Sequence, residues 1–129
     1  MVTLPEDMSI RETTESVETL RKMGVALGPV IVNGLWREVD LRRLGREPAA
    51  ALRADAGRAG IELSEEALAR LGETALTHAK RARNQRNAIK ELDDDPDLTV
   101  AQLPYLFTVT IGPEEIARLA DALGTSGPL

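Results

Sequence analysis

The feature that most constrains the fold is the run Pro-Val-Ile-Val-Asn-Gly at residues 29–34, where three consecutive β-branched or aliphatic residues end at an Asn-Gly pair. Asn-Gly is typical of a two-residue hairpin turn, which requires a second strand directly after Gly34. It also suits the carboxyl end of a buried parallel strand, the place where open α/β sheets bind their ligands. The charges after Gly34 fall at helical rather than alternating spacing, which favours the parallel strand over the hairpin.

The order of strand-like and helix-like segments predicts an α/β fold, specifically a partial doubly wound parallel sheet of about three strands. We expect strands at residues 2–4, 30–32 and 98–103. An amphipathic helix is predicted over residues 10–23, with Ser9 as its N-cap and Gly24 just beyond its end. The whole chain, residues 1–129, is expected to be a single domain.

A helical insertion is predicted at about residues 36–92, between the second and third strands. Its long helix, about residues 65–92, is expected to begin after Ser64. The apolar face of this helix is predicted to comprise Leu68, Leu71, Ala75, Ala79, Ala82, Ile89 and Leu92. The single histidine, His78, lies on or beside this face and is interpreted as a packing residue rather than a metal ligand.

The last part of the chain is predicted to be a loop followed by a helix. Residues 105–111 are apolar but follow a proline, so we expect a loop that packs down, with Leu106 and Phe107 in the core. Pro113 is a favourable first residue for the helix, and Gly124 is expected to end it. The predicted inward face of this helix comprises Ile116, Leu119, Ala120 and Leu123.

Composition excludes several functional classes. The net charge is −5 and the pI is about 4.9, so no nucleic-acid partner is expected, because phosphate binding requires a basic surface. Cysteine is absent, which excludes disulfides and Cys-based zinc sites, and we expect no metal site. No apolar run reaches the ~20 residues of a membrane span, and no secretory signal opens the chain. We therefore expect a cytoplasmic protein with no transmembrane segment.

Short motifs along nearly the whole chain resemble one ATPase family. The pattern V-T-x-P-E-x-x-S-x-x-E-T is matched by Val2, Thr3, Pro5, Glu6, Ser9, Glu12 and Thr13. A second motif, in which a glycine precedes a Val-Asn pair, is matched by Gly24, Val32 and Asn33. A third, of the type R-x-x-Q-x-x-x-I-x-E-L, is matched by Gln85, Ile89, Glu91 and Leu92, and its arginine is either Arg81, four residues before Gln85 rather than three, or Arg83. The final matches are Leu103, Pro104, Gly112, Ile116, Leu119, Ala120 and Leu123. This ordered set resembles the C-terminal half of the arsenical-pump ATPases, a family that also contains the ATPases targeting tail-anchored membrane proteins.

The resemblance implies a nucleotide-base site at the carboxyl edge of the sheet. It implies that Asn33 reads the base, a task that suits a carboxamide because it offers both a donor and an acceptor. It also implies that Pro104 and Tyr105 pack against the base. Glu6 and Asp7 follow the first strand at the same edge, where they would contact a ribose, a metal-bound water or a neighbouring subunit. The alternatives are a plain strand turn at Asn33, a core position for Tyr105, and simple turn chemistry at Glu6 and Asp7.

The departures from the family limit this expectation. The family's phosphate-binding loop is absent, since no G-x-x-x-x-G-K-[ST] pattern occurs, so the chain alone is not expected to hydrolyse ATP. ATP and Mg²⁺ are expected only together with a P-loop half. The short first strand suggests a fragment of a parent ATPase that couples hydrolysis to transport or membrane-protein targeting.

The expected partners follow from the same resemblance and from the unpaired edge of the short first strand. They are a P-loop half, a second copy of the chain, or a membrane-protein client bound by the helical insertion. The alternative is a non-enzymatic α/β module that binds a partner protein through its helices.

Overall fold

The computed structural model describes residues 1–38 and 48–125 of the chain. The strands are β1 (Val2–Thr3), β2 (Val30–Leu35) and β3 (Val100–Pro104). Within the described residues the helices are α1 (Asp7–Lys22), α2 (Pro48–Arg58), α3 (Glu65–Asp93) and α4 (Pro113–Thr125). Residues 39–47 of the predicted insertion lie outside the described residues.

The strands form one parallel sheet in the order β1-β2-β3, with β2 in the centre. Thr3 pairs with Val32 on one side, and Val32 pairs with Gln102 on the other. The connection from β1 to β2 and the connection from β2 to β3 both contain helices, as expected for a parallel α/β sheet. The hairpin alternative at Asn33 is therefore excluded, because β2 is parallel to both of its neighbours.

Helix α1 begins earlier than predicted. Its N-cap is Glu6, which has an extended backbone and makes no side-chain cap hydrogen bond, so the prediction of Ser9 as N-cap is wrong. Ser9 lies in the first turn, and its carbonyl accepts hydrogen bonds from the hydroxyls of Thr3 (3.2 Å) and Thr13 (2.7 Å). The C-terminal prediction is confirmed, since Met23 is the C-cap and Gly24 follows with φ +71°.

Two compact units divide the chain, one comprising Met1–Arg37 with Asn84–Leu129 and the other Glu38–Arg83. The first contains the sheet and a core of Ile10, Val17, Val30, Val32, Leu35, Ile89 and Leu92. Most of the predicted face of α3 is buried, but Leu71 is 44 % exposed and does not belong to it. In the second unit α2 approaches α3 closely, because a Cβ on the buried Gly72 would lie 3.4 Å from the Cβ of Pro48.

The segment after β3 differs most from the sequence-based expectation. Residues 105–111 form a loop in which Leu106 is half-buried, but the rest does not pack down: Phe107 is 64 % exposed, and Val109 and Ile111 are also exposed. Helix α4 begins at Pro113 as predicted and continues through Gly124 to Thr125. Of its predicted inward face, Leu119 and Leu123 are half-buried, whereas Ile116 and Ala120 are exposed.

Candidate functional site

The carboxyl ends of β2 and β3 bring together the three residues that the resemblance assigned to a base site. Asn33 pairs with Leu103, and Leu35 pairs with Pro104. The next residue, Tyr105, donates its backbone N–H to the carbonyl of Leu35 at 2.8 Å. Asn33, Pro104 and Tyr105 therefore lie at neighbouring positions on one edge of the sheet.

A bulge at Gly34 shapes this edge. One extra residue, Gly34, lies on β2 between the pairs formed by Asn33 and Leu35, and its φ is +84°. A left-handed backbone of this kind favours glycine, and bulges often occur beside functional sites. The strand therefore continues through the Asn-Gly pair to Leu35 instead of ending there as predicted. A Cβ on Gly34 would lie 3.7 Å from Cδ2 of Tyr105, so the tyrosine ring packs over the glycine backbone.

Asn33 presents an available carboxamide. Its side chain is exposed, whereas Val32 immediately before it is fully buried. Within the described residues the carboxamide makes no hydrogen bond of its own, so both its donor and its acceptor can serve a ligand. The buried strand fixes the backbone of Asn33, and the exposed amide is the part that can contact a molecule from solution.

Three rings at the same edge of the sheet form what we call the aromatic cluster: Trp36, Tyr105 and Phe107. Their centroids lie 5.9 Å apart for Trp36–Tyr105, 5.1 Å for Trp36–Phe107 and 4.8 Å for Tyr105–Phe107. The chain contains one Trp, one Tyr and one Phe, so every aromatic ring except the histidine imidazole is in this cluster. Phe107 was predicted to be a core residue, but it extends the cluster into solvent because its loop does not pack beneath α4.

Behind the aromatic cluster, Gln85 of α3 holds the backbone of Trp36. The Trp36 N–H donates to Oε1 of Gln85 at 2.8 Å, and Gln85 is only 5 % exposed. The next residue of α3, Arg86, donates to Oε1 of Gln102 at 2.6 Å, and the Gln102 amide donates to the carboxylate of Asp93 at 3.2 Å. These contacts connect α3 to β2 and β3 near the proposed base site.

Glu6 and Asp7 lie at the carboxyl edge of β1, as expected, where they begin α1. The N–H of Glu6 donates to the carbonyl of Leu4 at 2.8 Å, and its own carbonyl accepts from Ile10 at 2.9 Å. These backbone hydrogen bonds agree with the turn-chemistry alternative. A role in contacting ribose or a subunit stays a prediction for both carboxylates.

No group of three or more His, Cys, Asp or Glu side chains in residues 1–38 and 48–125 is placed to hold a metal ion. None of the helices described there is long and apolar enough to cross a bilayer.

Comparison with known proteins found no family that matches the chain and no curated protein with significant similarity to it.

Sequence reasoning did not assign Trp36, Phe107 or Gln85 to the site. The position of Trp36 could have suggested a role, because it stands three residues after Asn33 at the end of a predicted strand. The position of Gln85 was less informative: it is a polar residue on or beside the apolar face of a long helix. Nothing in the sequence indicated a role for Phe107, since its position depends on the path of the loop after β3.

Proposed function

We propose that this chain binds the base of a nucleotide at the carboxyl edge of its sheet, between Asn33 and the aromatic cluster. The observation that carries the proposal is that one edge of the sheet holds both Asn33, whose exposed carboxamide makes no hydrogen bond within the described residues, and the rings of Trp36 and Tyr105. Sheet edges of this kind are common ligand sites in parallel α/β proteins.

The chemistry of the edge suits a flat heteroaromatic base. A ring such as that of Tyr105, 48 % exposed, can stack on a base, and stacking contributes about 1–3 kcal/mol per base. The Asn33 carboxamide adds a paired donor and acceptor for the edge of a purine. Pro104 is the last residue of β3, and Tyr105 still donates its backbone N–H to the Leu35 carbonyl, which holds the tyrosine at this edge.

The resemblance to arsenical-pump-type ATPases supports a purine nucleotide and Mg²⁺ as the complete ligand. The sequence contains no phosphate-binding loop, so we propose that the phosphates and the metal ion are held by a separate P-loop part. In that complex, hydrolysis would be coupled to transport or to membrane-protein targeting. This chain alone would contribute base recognition without catalysis.

A titration monitored at Trp36 tests base binding directly. Trp36 is the only tryptophan, so its fluorescence reports on the aromatic cluster alone. We expect adenosine and ADP to quench this emission and to shift the amide NMR signals of Asn33 and Tyr105. Ribose 5-phosphate, which has no base, should do neither. If ATP and ADP leave all these signals unchanged, both alone and with an added P-loop half, the proposal is wrong.

Protein binding is a second candidate function, favoured by the apolar surface after β3. Phe107, Val109, Ile111 and Ile116 are 64 %, 105 %, 65 % and 59 % exposed, respectively. Exposed apolar side chains in such numbers are typical of interaction surfaces. Under this alternative the chain associates with itself or a partner through the loop and α4. Concentration-dependent light scattering that is abolished by Val109→Ser, with nucleotide binding unchanged, would support it, and a monomer at high concentration would count against self-association.

A further inference from the structure

We propose that Gln85 is a positioning residue for the base site, because its buried side chain fixes Trp36 within the aromatic cluster. The role of this arrangement in ligand binding rests on the proposed function. The placement of Trp36 by Gln85 stands independently of any ligand and is tested separately below.

The direction of the Trp36 N–H explains why a side chain is needed there. In a trans peptide the carbonyl and the following N–H point in opposite directions. The Leu35 carbonyl points toward β3, where it accepts from Tyr105. The N–H of Trp36 therefore points toward the side of β2 on which β1 has already ended, since β1 stops at Thr3. Among the described residues no strand lies there to accept this hydrogen bond, and Oε1 of Gln85 is the acceptor instead.

The burial of Gln85 supports a specific role for this hydrogen bond. On the same stretch of α3, Ile89 and Leu92 are 0 % and 1 % exposed, so an apolar residue is the expected occupant of a buried position. A buried amide is unfavourable unless it is hydrogen-bonded. Among the described residues, no buried side-chain nitrogen or oxygen lacks a partner. On folding, the Gln85 amide therefore loses its contacts with water and accepts a hydrogen bond from the backbone N–H of Trp36.

Trp36 is the cluster member that the sheet can hold in place. Tyr105 and Phe107 belong to the exposed segment after β3, whereas Trp36 is half-buried and directly follows β2. Its ring contacts both of the others, at centroid distances of 5.9 Å and 5.1 Å. A change in the backbone at Trp36 therefore moves the ring against which the other two pack.

The test compares two substitutions at Gln85 with a matched control on the same helix. Gln85→Met keeps the length of the side chain but removes the acceptor, and Gln85→Glu keeps an acceptor oxygen. Asn87→Ala changes an exposed amide two residues further along α3. Without nucleotide, we expect Gln85→Met to red-shift the Trp36 emission and to increase its quenching by acrylamide. Gln85→Glu and Asn87→Ala should retain the wild-type spectrum.

Titration with nucleotide then distinguishes the positioning of Trp36 by Gln85 from the role of that positioning in ligand binding. With ADP as the probe, Gln85→Met should raise Kd by roughly threefold to tenfold, because the cost of ordering Trp36, of the size of one hydrogen bond, is then met during binding. Wild-type Trp36 emission in a folded Gln85→Met variant would overturn the positioning role. A shifted emission with unchanged ADP affinity would show that the base does not depend on Trp36, and would overturn the link to ligand binding. A shifted emission in a protein whose wild type binds no nucleotide would retain the positioning role and reject the proposed function.

A measurement on the wild type covers the case in which Gln85→Met does not fold. The Trp36 amide should exchange slowly with deuterated solvent, since it is bonded to a buried oxygen. It should also show through-bond NMR coupling to the side-chain carbonyl of Gln85. Fast exchange without coupling would overturn the inference.

Discussion

Arg21 and Asp95 form a bidentate ion pair across 74 residues of sequence, with Nη1–Oδ2 at 2.7 Å and Nη2–Oδ1 at 3.1 Å. The pair joins the last turn of α1 to the turn between α3 and β3. The hydrogen bonds from Arg21, with a further one from the backbone N–H of Asp97, hold the pKa of the Asp95 carboxyl below its ordinary value. The hydrogen bonds to the Asp95 side chain in turn raise the pKa of the Arg21 guanidinium.

The first prediction concerns the acid sensitivity of this pair. Because the pKa of Asp95 is lower in the folded than in the unfolded protein, its contribution to stability is present above the unfolded value of about 3.9. That contribution is lost as the pH falls through the lowered pKa of the folded state. Asp95→Asn should therefore reduce the free energy of unfolding at pH 7 and have a smaller effect near pH 3, measured by urea denaturation.

The neighbouring Asp94 provides the control for this experiment. Its side chain is exposed and has no ion-pair partner within the described residues. Asp94→Asn should leave the free energy of unfolding nearly unchanged at both pH values. Equal effects of the two substitutions would contradict the assignment of acid sensitivity to the Arg21 pair.

The second prediction concerns the bulge in β2. Gly34→Ala should destabilise the fold by about 1–2 kcal/mol, because an alanine is strained in the left-handed region at φ +84°. The added methyl would make ordinary contact with Tyr105 at 3.7 Å, so the penalty comes from the backbone and not from a clash. Gly28→Ala is the control, since Gly28 has no left-handed backbone and no atom within 4 Å of the added Cβ. Chemical denaturation of both variants checks the difference.

The third prediction concerns base recognition by Asn33. Asn33→Ala should weaken ADP binding by about threefold to tenfold, corresponding to the loss of roughly 1 kcal/mol of hydrogen bonding. The melting temperature should change little, because the side chain is exposed and makes no hydrogen bond in the described residues. Isothermal titration and thermal melting measure the two effects. Unchanged affinity would remove Asn33 from the proposed site.

The fourth prediction separates the ring of Tyr105 from its hydroxyl. Tyr105→Ala should lower the affinity for ADP by roughly 1–3 kcal/mol, the typical contribution of one stacked base. Tyr105→Phe keeps the ring and should retain most of the affinity. If both substitutions weaken binding equally, the hydroxyl rather than stacking is responsible. Quenching of Trp36 fluorescence by ADP provides the measurement.

The fifth prediction tests the core beneath the sheet. Ile89 is 0 % exposed and packs with the buried residues of α1 and β2, so Ile89→Ala should destabilise the protein by about 2–5 kcal/mol. Ile116→Ala removes the same atoms from a side chain that is 59 % exposed, and should change stability by less than about 0.5 kcal/mol. Urea denaturation of the two variants gives the comparison. A large loss at Ile116 would indicate that α4 is buried against a partner in solution.

Local patterns in the sequence determined the order of elements, the parallel sheet and much of the buried face of α3. Apolar residues at helical spacing predict an amphipathic helix whatever the chain packs against, and consecutive β-branched residues predict a strand covered on both faces. Gly24 was correctly placed after α1, because a left-handed residue at that position is a local requirement. The start of α1 was not, because Ser9 satisfies the capping pattern but lies inside the helix.

Only the tertiary structure showed that Trp36, Phe107 and Gln85 belong to the candidate site. Trp36 and Tyr105 are 69 positions apart in numbering, and their contact depends on the register of β2 against β3 and on the bulge at Gly34. The hydrogen bond from Trp36 to Gln85 requires α3 to pack at one particular position beside β2. Periodicity specifies which face of an element is buried, but it contains no information on register between elements. For that reason the sequence alone predicted the edge of the sheet and its Asn33, while the aromatic cluster emerged only from the fold.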